Sequence, residues 1–331
     1  MSSTRVTLLV GQAAFRRREN QPSDVAALAF ERARRPSFAG MTTPGTTPST
    51  WIITGASQGL GRGLAEAALA AGDRVVAAVR RPDAVADLAA AHPDRFAAIA
   101  ADVRDTARAP EVIRAALDRF GRIDVLVNNA GRGLVGAAEE VDEATLRDLM
   151  DLHLFGPAAL VRAALPAMRE QGSGTIVQMS SQGGRMSFPG VGAYSAGKFA
   201  LEGWSEALAG EVAPFGIRVL IVEPSRFRTS FNAPGVLGFA EASDTYADVL
   251  AAVRTDMAGA DGMQQGDPAR AGDILVDLVH GSDLPLRLAL GCEAVERISA
   301  SYHRGLAELE GWRHASVGAD FADAVPSVRP I

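Results

Sequence analysis

The segment TWIITGASQGLG, residues 50–61, passes from a short apolar run directly into a turn rich in glycine. The stretch that follows, residues 64–71, is rich in alanine and leucine and is predicted to be helical. Together they predict a strand, a turn and a helix N-terminus, where backbone N–H groups can approach a pyrophosphate. The glycine spacing alone is weak support, because 34 glycines in 331 residues produce similar spacings in ordinary turns.

Short runs of β-branched and apolar residues recur along the chain and alternate with amphipathic helical segments. The runs are 50–54, 74–79, 96–100, 123–127, 175–179, 217–222 and 287–290. Runs of this kind are typical of parallel strands buried on both faces, and we interpret all seven in this way. The predicted fold class is α/β, a Rossmann-type doubly wound parallel sheet in one domain, with a helical substrate lid and a C-terminal extension.

Composition limits the partners of this domain. The chain is 47% hydrophobic and 22% charged with a net charge of −6, which predicts a globular protein and no nucleic-acid partner. The single cysteine, Cys292, excludes an internal disulfide, and the five scattered histidines show no paired spacing, so we expect no metal site. No run approaches the ~18 apolar residues of a membrane span. We expect a cytoplasmic protein without a membrane partner that forms a homo-oligomer, either a dimer or a tetramer.

Residues 1–48 differ from the rest of the chain. They combine arginine clusters with a Thr/Pro/Gly/Ser tract and show no sustained periodicity, so we interpret them as a disordered extension before a domain at 49–331. Met41 stands shortly before the first strand, and an upstream start assigned in error is a second interpretation. A targeting peptide is the third, but acidic residues in the segment count against a transit sequence.

Lys198 is the only lysine in the chain, and it lies four residues after Tyr194. On a helix the two side chains share one face, with about 5–6 Å between their Cβ atoms. The pKa of a tyrosine is about 10, and a nearby ammonium lowers it by stabilising the phenolate. Because arginine takes the place of lysine everywhere else, we infer that this position requires a compact cation.

Four motifs follow one another along the chain: TGxxxGxG at 54–61, NNAG at 128–131, Ser181, and YxxxK at 194–198. In this set the chain resembles the short-chain dehydrogenase/reductase family, closely over about residues 50–230. The resemblance implies an oxidoreductase that uses NAD(P) to interconvert a carbonyl compound and an alcohol. Within the family, the chain is most similar to the branch of steroid, retinol and broad-range carbonyl reductases.

Hydride transfer to a carbonyl develops negative charge on the oxygen, which must be stabilised and then protonated. The resemblance implies that Tyr194 donates this proton and that Ser181 hydrogen-bonds the same oxygen. Lys198 then lowers the pKa of the tyrosine and binds the nicotinamide ribose. Ser180 competes with Ser181 for its role, although the family spacing favours Ser181.

The resemblance also implies a set of cofactor-binding residues. Asp102 and Val103 would flank the adenine, and Thr229 would contact the nicotinamide carboxamide. The full set is Gly55, Ser57, Gln58, Gly59, Leu60, Gly61, Arg80, Arg81, Asp102, Val103, Asn128, Ala130, Gly131, Tyr194, Lys198 and Thr229.

The end of the second predicted strand favours NADP over NAD. A fold for NAD usually places an acidic residue about 20 positions after the glycine turn, whereas NADP needs a cation for its 2′-phosphate. Arg80 and Arg81 occupy this place, and Asp83 lies further on. A solvated basic loop is the alternative interpretation. Gln58 stands where relatives that prefer NADP often carry a second basic residue.

Two positions depart from the family pattern. His153 stands where many members have an asparagine that supports a water relay to the lysine. A neutral imidazole can also donate one hydrogen bond and accept another, so His153 is either a pH-sensitive relay member or a core histidine. Ser225 follows Pro224 in place of the usual glycine, which alters the backbone near the nicotinamide unless its φ and ψ are ordinary.

The expected substrate lid covers residues 231–265. Its larger apolar residues either line a pocket or pack as core, and an apolar pocket suits a hydrophobic ketone, aldehyde or alcohol. These residues are Phe231, Leu237, Phe239, Tyr246 and Leu250.

Two other functions stay open on the same fold. One is a catalytically idle NADP-sensing or scaffold protein, which the presence of Ser181, Tyr194 and Lys198 disfavours. The other is a sugar-nucleotide epimerase or dehydratase, which the NNAG motif disfavours.

Overall fold

The computed structural model describes residues 47–233, 236–321 and 323–324. The interpretation of residues 1–48 as an extension therefore lies almost wholly outside the described residues. The strands are β1 (Thr50–Thr54), β2 (Arg74–Val79), β3 (Phe96–Ala100), β4 (Val125–Asn128), β5 (Leu134–Val135), β6 (Gly174–Met179), β7 (Ile217–Pro224), β8 (Gly238–Phe239) and β9 (Arg287–Leu290). The helices are α1 (Gly59–Ala70), α2 (Ala86–Ala91), α3 (Ala109–Phe120), α4 (Glu143–Met150), α5 (Gly156–Gln171), α6 (Gly192–Val212), α7 (Ala247–Gly259), α8 (Pro268–His280), α9 (Cys292–Gly311) and α10 (Arg313–Val317).

Seven of the strands form one parallel sheet in the order β3-β2-β1-β4-β6-β7-β9, and β5 pairs with β8 in a separate parallel ribbon. The order reverses between β1 and β4, which are neighbours in the sheet but not in the sequence. Ligand crevices of doubly wound sheets open at such a reversal, outside the carboxyl ends of the strands. The predicted fold class is confirmed.

The two faces of the sheet bury separate apolar clusters. Along β1, Trp51 and Ile53 pack with Leu64 of α1 on one face, whereas Ile52 packs with Leu160 of α5 on the other. Successive side chains of a strand point to opposite faces, so a continuous apolar run is what a covered sheet requires. This explains why the central strands could be recognised in the sequence.

Strands β3 and β9 correct the prediction that all seven strands are buried on both faces. Only Phe96 of β3 and Leu290 of β9 are buried, because these strands form the two edges of the sheet. Two boundaries also differ from the prediction. Strand β4 begins at Val125, and α1 begins at Gly59, inside the glycine turn.

Candidate active site

The turn after β1 is held by the hydroxyl group of Thr54. Its Oγ1 accepts hydrogen bonds from the backbone N of Asn129 at 2.9 Å and of Ala130 at 3.0 Å, which joins the ends of β1 and β4. Gly55 and Gly59 have φ angles of +65° and +61°, a conformation that favours glycine. Helix α1 therefore starts directly at the turn, with the N–H groups of its first turn available to an anion.

A cleft of about 400 Å³ opens at the carboxyl ends of the central strands. Ser181, Tyr194, Lys198 and His153 all line it, so the four predicted catalytic residues lie together. Most of the predicted cofactor-binding residues line the same cleft. They are Gly55, Ser57, Gln58, Gly59, Leu60, Arg80, Arg81, Asp102, Val103, Ala130, Gly131, Tyr194, Lys198 and Thr229.

Two predicted cofactor-binding residues, Gly61 and Asn128, do not line the cleft. A Cβ on Gly61 would lie 2.3 Å from Nδ2 of Asn129, so this glycine lets α1 pack against the end of β4. Asn128 is 3% exposed, and its Nδ2 donates to Oε1 of Gln178 at 3.0 Å in the neighbouring strand β6. Both residues support the cleft from behind.

Asn129 lines the cleft in place of Asn128 and was missed by the sequence analysis. Its Nδ2 donates to the carbonyl oxygens of Thr54 at 2.8 Å and Gly55 at 3.3 Å. The NNAG motif contained the signal, because Asn128 ends a buried strand and the next side chain must point elsewhere.

Helix α6 carries Tyr194 and Lys198. Lys198 is 5% exposed, its Nζ donates to the carbonyl oxygen of Met179 at 2.8 Å, and Nζ lies 5.9 Å from the centre of the Tyr194 ring. Burial lowers the pKa of Lys198 to about 8, and the Glu202 carboxylate opposes this shift. Burial raises the pKa of Tyr194, which the Ser181 hydroxyl opposes. The charge of Lys198, which was expected to lower the tyrosine pKa, is not among the causes that act on it, and at neutral pH the buried phenol holds its proton.

The two candidate serines lie on different sides of the loop after β6. Ser181 Oγ and the Tyr194 ring flank the same glycine, since a Cβ on Gly183 would lie 3.4 Å from the former and 3.2 Å from Cε1 of the latter. Ser180 Oγ instead lies beside Gly184, on the side of Glu202. The geometry therefore favours Ser181 as the partner of Tyr194.

His153 lies in a π-helical turn, Asp151–Phe155, and is 1% exposed. Its Nε2 accepts a hydrogen bond from the backbone N of Arg132 at 3.4 Å, and its ring meets that of Tyr194 edge-on at 5.4 Å between centres. Burial lowers the pKa of His153 well below its usual value, and the charges of Lys198 and Arg132 lower it further. The imidazole is therefore neutral at physiological pH. It gains a proton only in acid solution, so a pH-sensitive role could appear only there.

Arg80 and Arg81 are exposed at one end of the cleft. Among the residues that the structure describes, neither forms an ion pair, whereas two nearby arginines are paired. Arg62 binds carboxylates of its own helix and of α2, and Arg104 binds Asp102. The end of β2 therefore presents two cations that form no ion pair within the described chain, although the charge of Arg80 helps to lower the pKa of Asp102.

The residues after β7 lie beside the glycine turn. A Cβ on Gly59 would lie 3.3 Å from Cβ of Thr229, as expected for a residue near the nicotinamide end. Ser225 donates its N–H to the carbonyl oxygen of Leu290 at 2.9 Å. In the described part of the chain no residue other than glycine has a positive φ, so the serine fits this place without strain.

The lid, residues 231–265, lines the cleft with a different set of residues than expected. Of its five larger apolar residues only Phe231 lines the cleft, together with Val236 and Met257. Leu237 packs against Gly133, and Leu250 against Gly190, so both belong to the core. Two predicted lining residues, Phe239 and Tyr246, do not reach the cleft.

A buried carboxylate fastens the lid to the rest of the domain. The side chain of Glu140 is 3% exposed and accepts hydrogen bonds from the backbone N of Ser243 at 2.8 Å and from Arg254 at 2.7 Å. The Ser243 hydroxyl also donates to it at 3.2 Å, and a local contact comes from the backbone N of Ala137 at 2.9 Å. These hydrogen bonds hold the pKa of Glu140 down at about 2. Nothing in the local sequence marked Glu140, because its lid partners follow more than 100 residues later.

The described residues contain neither a cluster of metal-binding side chains nor a membrane-spanning helix. No group of three or more His, Cys, Asp and Glu side chains in that part of the chain could hold a metal ion. No helix in it is both long and apolar enough to cross a membrane.

A family model for short chain dehydrogenases matches residues 49–236. The chain belongs to the short-chain dehydrogenase family. Oxidoreductase BOA17 of Botryotinia fuckeliana (strain B05.10) is 35% identical over 270 residues, which cover 81% of this chain and 98% of the relative. A 3-ketodihydrosphingosine reductase of Bacteroides thetaiotaomicron is 38% identical over 185 residues, covering 56% of this chain and 66% of that enzyme.

Among solved structures, a short-chain dehydrogenase from Streptomyces avermitilis superimposes with a TM-score of 0.78 at 51% identity. The match covers 83% of this chain and 99% of that one. This short-chain dehydrogenase is therefore an NAD(P)-dependent oxidoreductase, and the predicted family is confirmed.

Proposed function

We propose that this enzyme uses NADP(H) to interconvert a hydrophobic ketone or aldehyde and its alcohol. One observation carries the proposal: Ser181, Tyr194 and Lys198 line the same cleft as two unpaired arginines, Arg80 and Arg81. The first group suits carbonyl chemistry, and the second suits a cofactor with an additional phosphate.

The three catalytic groups have separate tasks in reduction. NADPH, when bound, supplies a hydride to the carbonyl carbon, and negative charge develops on the carbonyl oxygen. The Ser181 hydroxyl donates a hydrogen bond to that oxygen. The O–H bond of Tyr194 breaks, and its proton moves to the oxygen to complete the alcohol. The Lys198 ammonium then stabilises the phenolate, and in oxidation each of these steps runs in reverse.

The residues of the glycine turn and of the end of β2 fit NADP. Gly55 and Gly59 bring backbone N–H groups close to a pyrophosphate at the start of α1. Arg80 and Arg81 would bind the 2′-phosphate, since they have no carboxylate partner within the described chain. Where an NAD-dependent fold usually carries an acidic residue for the ribose hydroxyl, this chain has a cation.

The substrate end of the cleft is apolar. Its lining includes Phe188, Val191, Phe231, Val236 and Met257. Such a wall favours a carbonyl group attached to a hydrophobic body, oriented by the few polar groups around Tyr194. The name of the Bacteroides relative, a 3-ketodihydrosphingosine reductase, supports a ketone as the substrate.

We propose a homo-oligomer as the working form of the enzyme. Phe155, Phe199 and Phe215 are 50%, 46% and 48% exposed, although large aromatic side chains are usually covered. Exposed apolar side chains of this size favour contact with a second copy.

Replacement of the proposed acid tests the function. Tyr194→Phe removes the proton donor but keeps the ring, so kcat should fall by about 10²–10⁴-fold. The Kd for NADPH should stay unchanged. The measurements are NADPH oxidation with a panel of ketones and aldehydes, and NADPH binding by fluorescence. Tyr302→Phe is the control. Tyr302 lies on α9 outside the cleft, where its ring packs against Arg185. More than about a tenth of wild-type kcat in Tyr194→Phe would contradict the assignment.

A further inference from the structure

Two buried carboxylates and two partly buried arginines form a cluster beside Lys198. Glu202, one helical turn after Lys198 on α6, is 4% exposed, and Glu223 of β7 is 3% exposed. Arg185 and Arg287 lie against both carboxylates. Glu202 is 3.0 Å from Nε of Arg287 and 3.5 Å from Arg185, whereas the corresponding distances from Glu223 are 3.8 Å and 3.6 Å.

The charge of Arg287 does not act on the buried pair alone, because Arg287 also binds the exposed Glu206 at 2.8 Å. Lys198 is a further buried cation beside the pair, and it lies on the same helix face as Glu202. On its other side Lys198 faces Tyr194 and the neutral His153, which offer no negative charge at neutral pH.

Gly184, in the loop after β6, packs directly on this turn of α6. A Cβ on Gly184 would lie 3.0 Å from Cγ of Glu202 and 3.2 Å from the backbone carbonyl oxygen of Lys198. Within the described chain, Oε1 of Glu202 and Oε1 of Glu223 accept no hydrogen bond. The two arginines thus leave part of each carboxylate unsatisfied, and its negative charge acts on its neighbours.

We propose that Glu202 is the buried counter-charge that keeps Lys198 protonated. An isolated ammonium is costly to bury, and a nearby negative charge offsets that cost. Glu202 is therefore a positioning residue that acts through Lys198. The inference rests on the proposed catalytic role of Lys198, but the charge of the lysine can be measured without any substrate.

The titration of the cluster agrees with this role. Burial, together with the charge of Glu202, raises the pKa of Glu223 to about 7. Glu223 is therefore only partly ionised at neutral pH, and Glu202 is the carboxylate whose charge opposes the lowering of the Lys198 pKa by burial.

Because Lys198 is the only lysine, the full chain labelled with ε-¹³C-lysine gives one side-chain resonance. If the prepared protein carries no further lysine, the chemical shift of this resonance measured against pH by NMR gives the titration of Lys198. The wild-type midpoint should lie near 8. Glu202→Gln should lower it by about one pH unit or more, since an opposite charge at close range shifts a pKa by ~1–3 units. Glu223→Gln should lower it by less, because Glu202, and not Glu223, lies one helical turn from Lys198 on α6.

Glu206→Gln is the matched control. It removes a carboxylate from the same helix and the same arginine, but its side chain is 62% exposed, so solvent screens its charge and the midpoint should stay. An unchanged midpoint in a folded Glu202→Gln protein overturns the proposal. If that variant does not fold, Arg287→Gln, which removes the cation 3.0 Å from Glu202, should raise the midpoint, and an unchanged midpoint there overturns the proposal.

Carbonyl reduction by the same proteins separates the two proposals. The alkaline loss of kcat should move with the lysine midpoint in each variant. A shifted midpoint in a protein that reduces no ketone or aldehyde would support the counter-charge and contradict the proposed function.

Discussion

The two walls of the cleft are held by different kinds of interaction. The cofactor wall, formed by the turn at 55–61 and the end of β2, is fixed by backbone hydrogen bonds to Thr54 and by glycines that allow close packing. The substrate wall, formed by the lid, is fastened mainly by side chains, among them the buried Glu140, Leu237 and Leu250, and by the short ribbon of β5 and β8. The cofactor wall should therefore keep its shape when its exposed side chains change, whereas the substrate wall should not.

The largest effect is expected at the cofactor wall. Changing both Arg80 and Arg81 to serine should raise the Kd for NADPH by roughly 10- to 100-fold, because a hydrogen bond to a charged group contributes about 1.5–3 kcal/mol. The Kd for NADH and the melting temperature should stay the same, since both side chains are exposed and unpaired within the described residues. Fluorescence titration with each cofactor measures this.

Arg108→Ser, which removes an exposed cation that binds Glu111 away from the cleft, controls for the change in net charge. An equal increase in the Kd for NADPH and for NADH in the double variant would show that the two arginines at the end of β2 do not recognise the 2′-phosphate. A wild-type enzyme that prefers NADH would refute the proposed cofactor.

A smaller effect, confined to the substrate wall, is expected from Glu140→Gln. The amide keeps the shape but loses the charge that binds Arg254, so the lid segment from Ser243 onward should loosen. We expect kcat/KM for the carbonyl substrate to fall on the order of tenfold, with kcat and KM both changed. The Kd for NADPH should not change, because the cofactor wall does not depend on this carboxylate.

Glu139→Gln is the control for the lid, since Glu139 is exposed and binds only the hydroxyl of Tyr246 among its described contacts. An unchanged kcat/KM in Glu140→Gln would show that the lid keeps its position without the charge of this carboxylate. Weaker NADPH binding would show that the two walls are coupled.

The smallest effect concerns His153, which packs against Tyr194 where the two walls meet. Because its pKa in the folded protein is well below 6.5, the unfolded chain binds a proton near pH 6.5 that the folded protein does not. The stability that comes from the neutral imidazole is complete above pH 6.5. It falls as the pH drops, by up to about 1.4 kcal/mol per unit.

His153→Asn should remove this acid-dependent loss of stability and keep most of the activity. Denaturant unfolding between pH 5 and about pH 7 measures it. His303→Asn, at an exposed position on α9, should leave the pH dependence as in the wild type. If the free energy of unfolding depends on pH in the same way in the wild type and in His153→Asn, the assigned neutral state of His153 is wrong.

The sheet and the pairing of Tyr194 with Lys198 could be predicted because their signals are local. Apolar β-branched runs gave the strands, and the spacing of Tyr194 and Lys198 placed both on one helix. The same reasoning could not identify the edge strands. Whether β3 and β9 have one neighbour or two depends on the strand order, which no single segment contains.

The residues that were missed act through partners distant in the sequence. Glu140 binds the lid over 100 residues later, and Glu202 binds Arg287 at a separation of 85 residues. For Glu223 a local signal did exist. An acidic residue inside the buried strand β7 must have a buried partner, and the sequence alone did not show which.

The pairing of β1 with β4 also governs how the chain can fold during its synthesis. The Thr54 hydroxyl contacts the N–H groups of residues 75 and 76 positions further on. At roughly 5–20 residues per second, a ribosome needs about 4–15 s to make that stretch. Until then the edge of β1 that later pairs with β4 has no partner, and the unpaired edge of an apolar strand promotes aggregation. The nascent chain is therefore most vulnerable between the release of β2 and the arrival of β4.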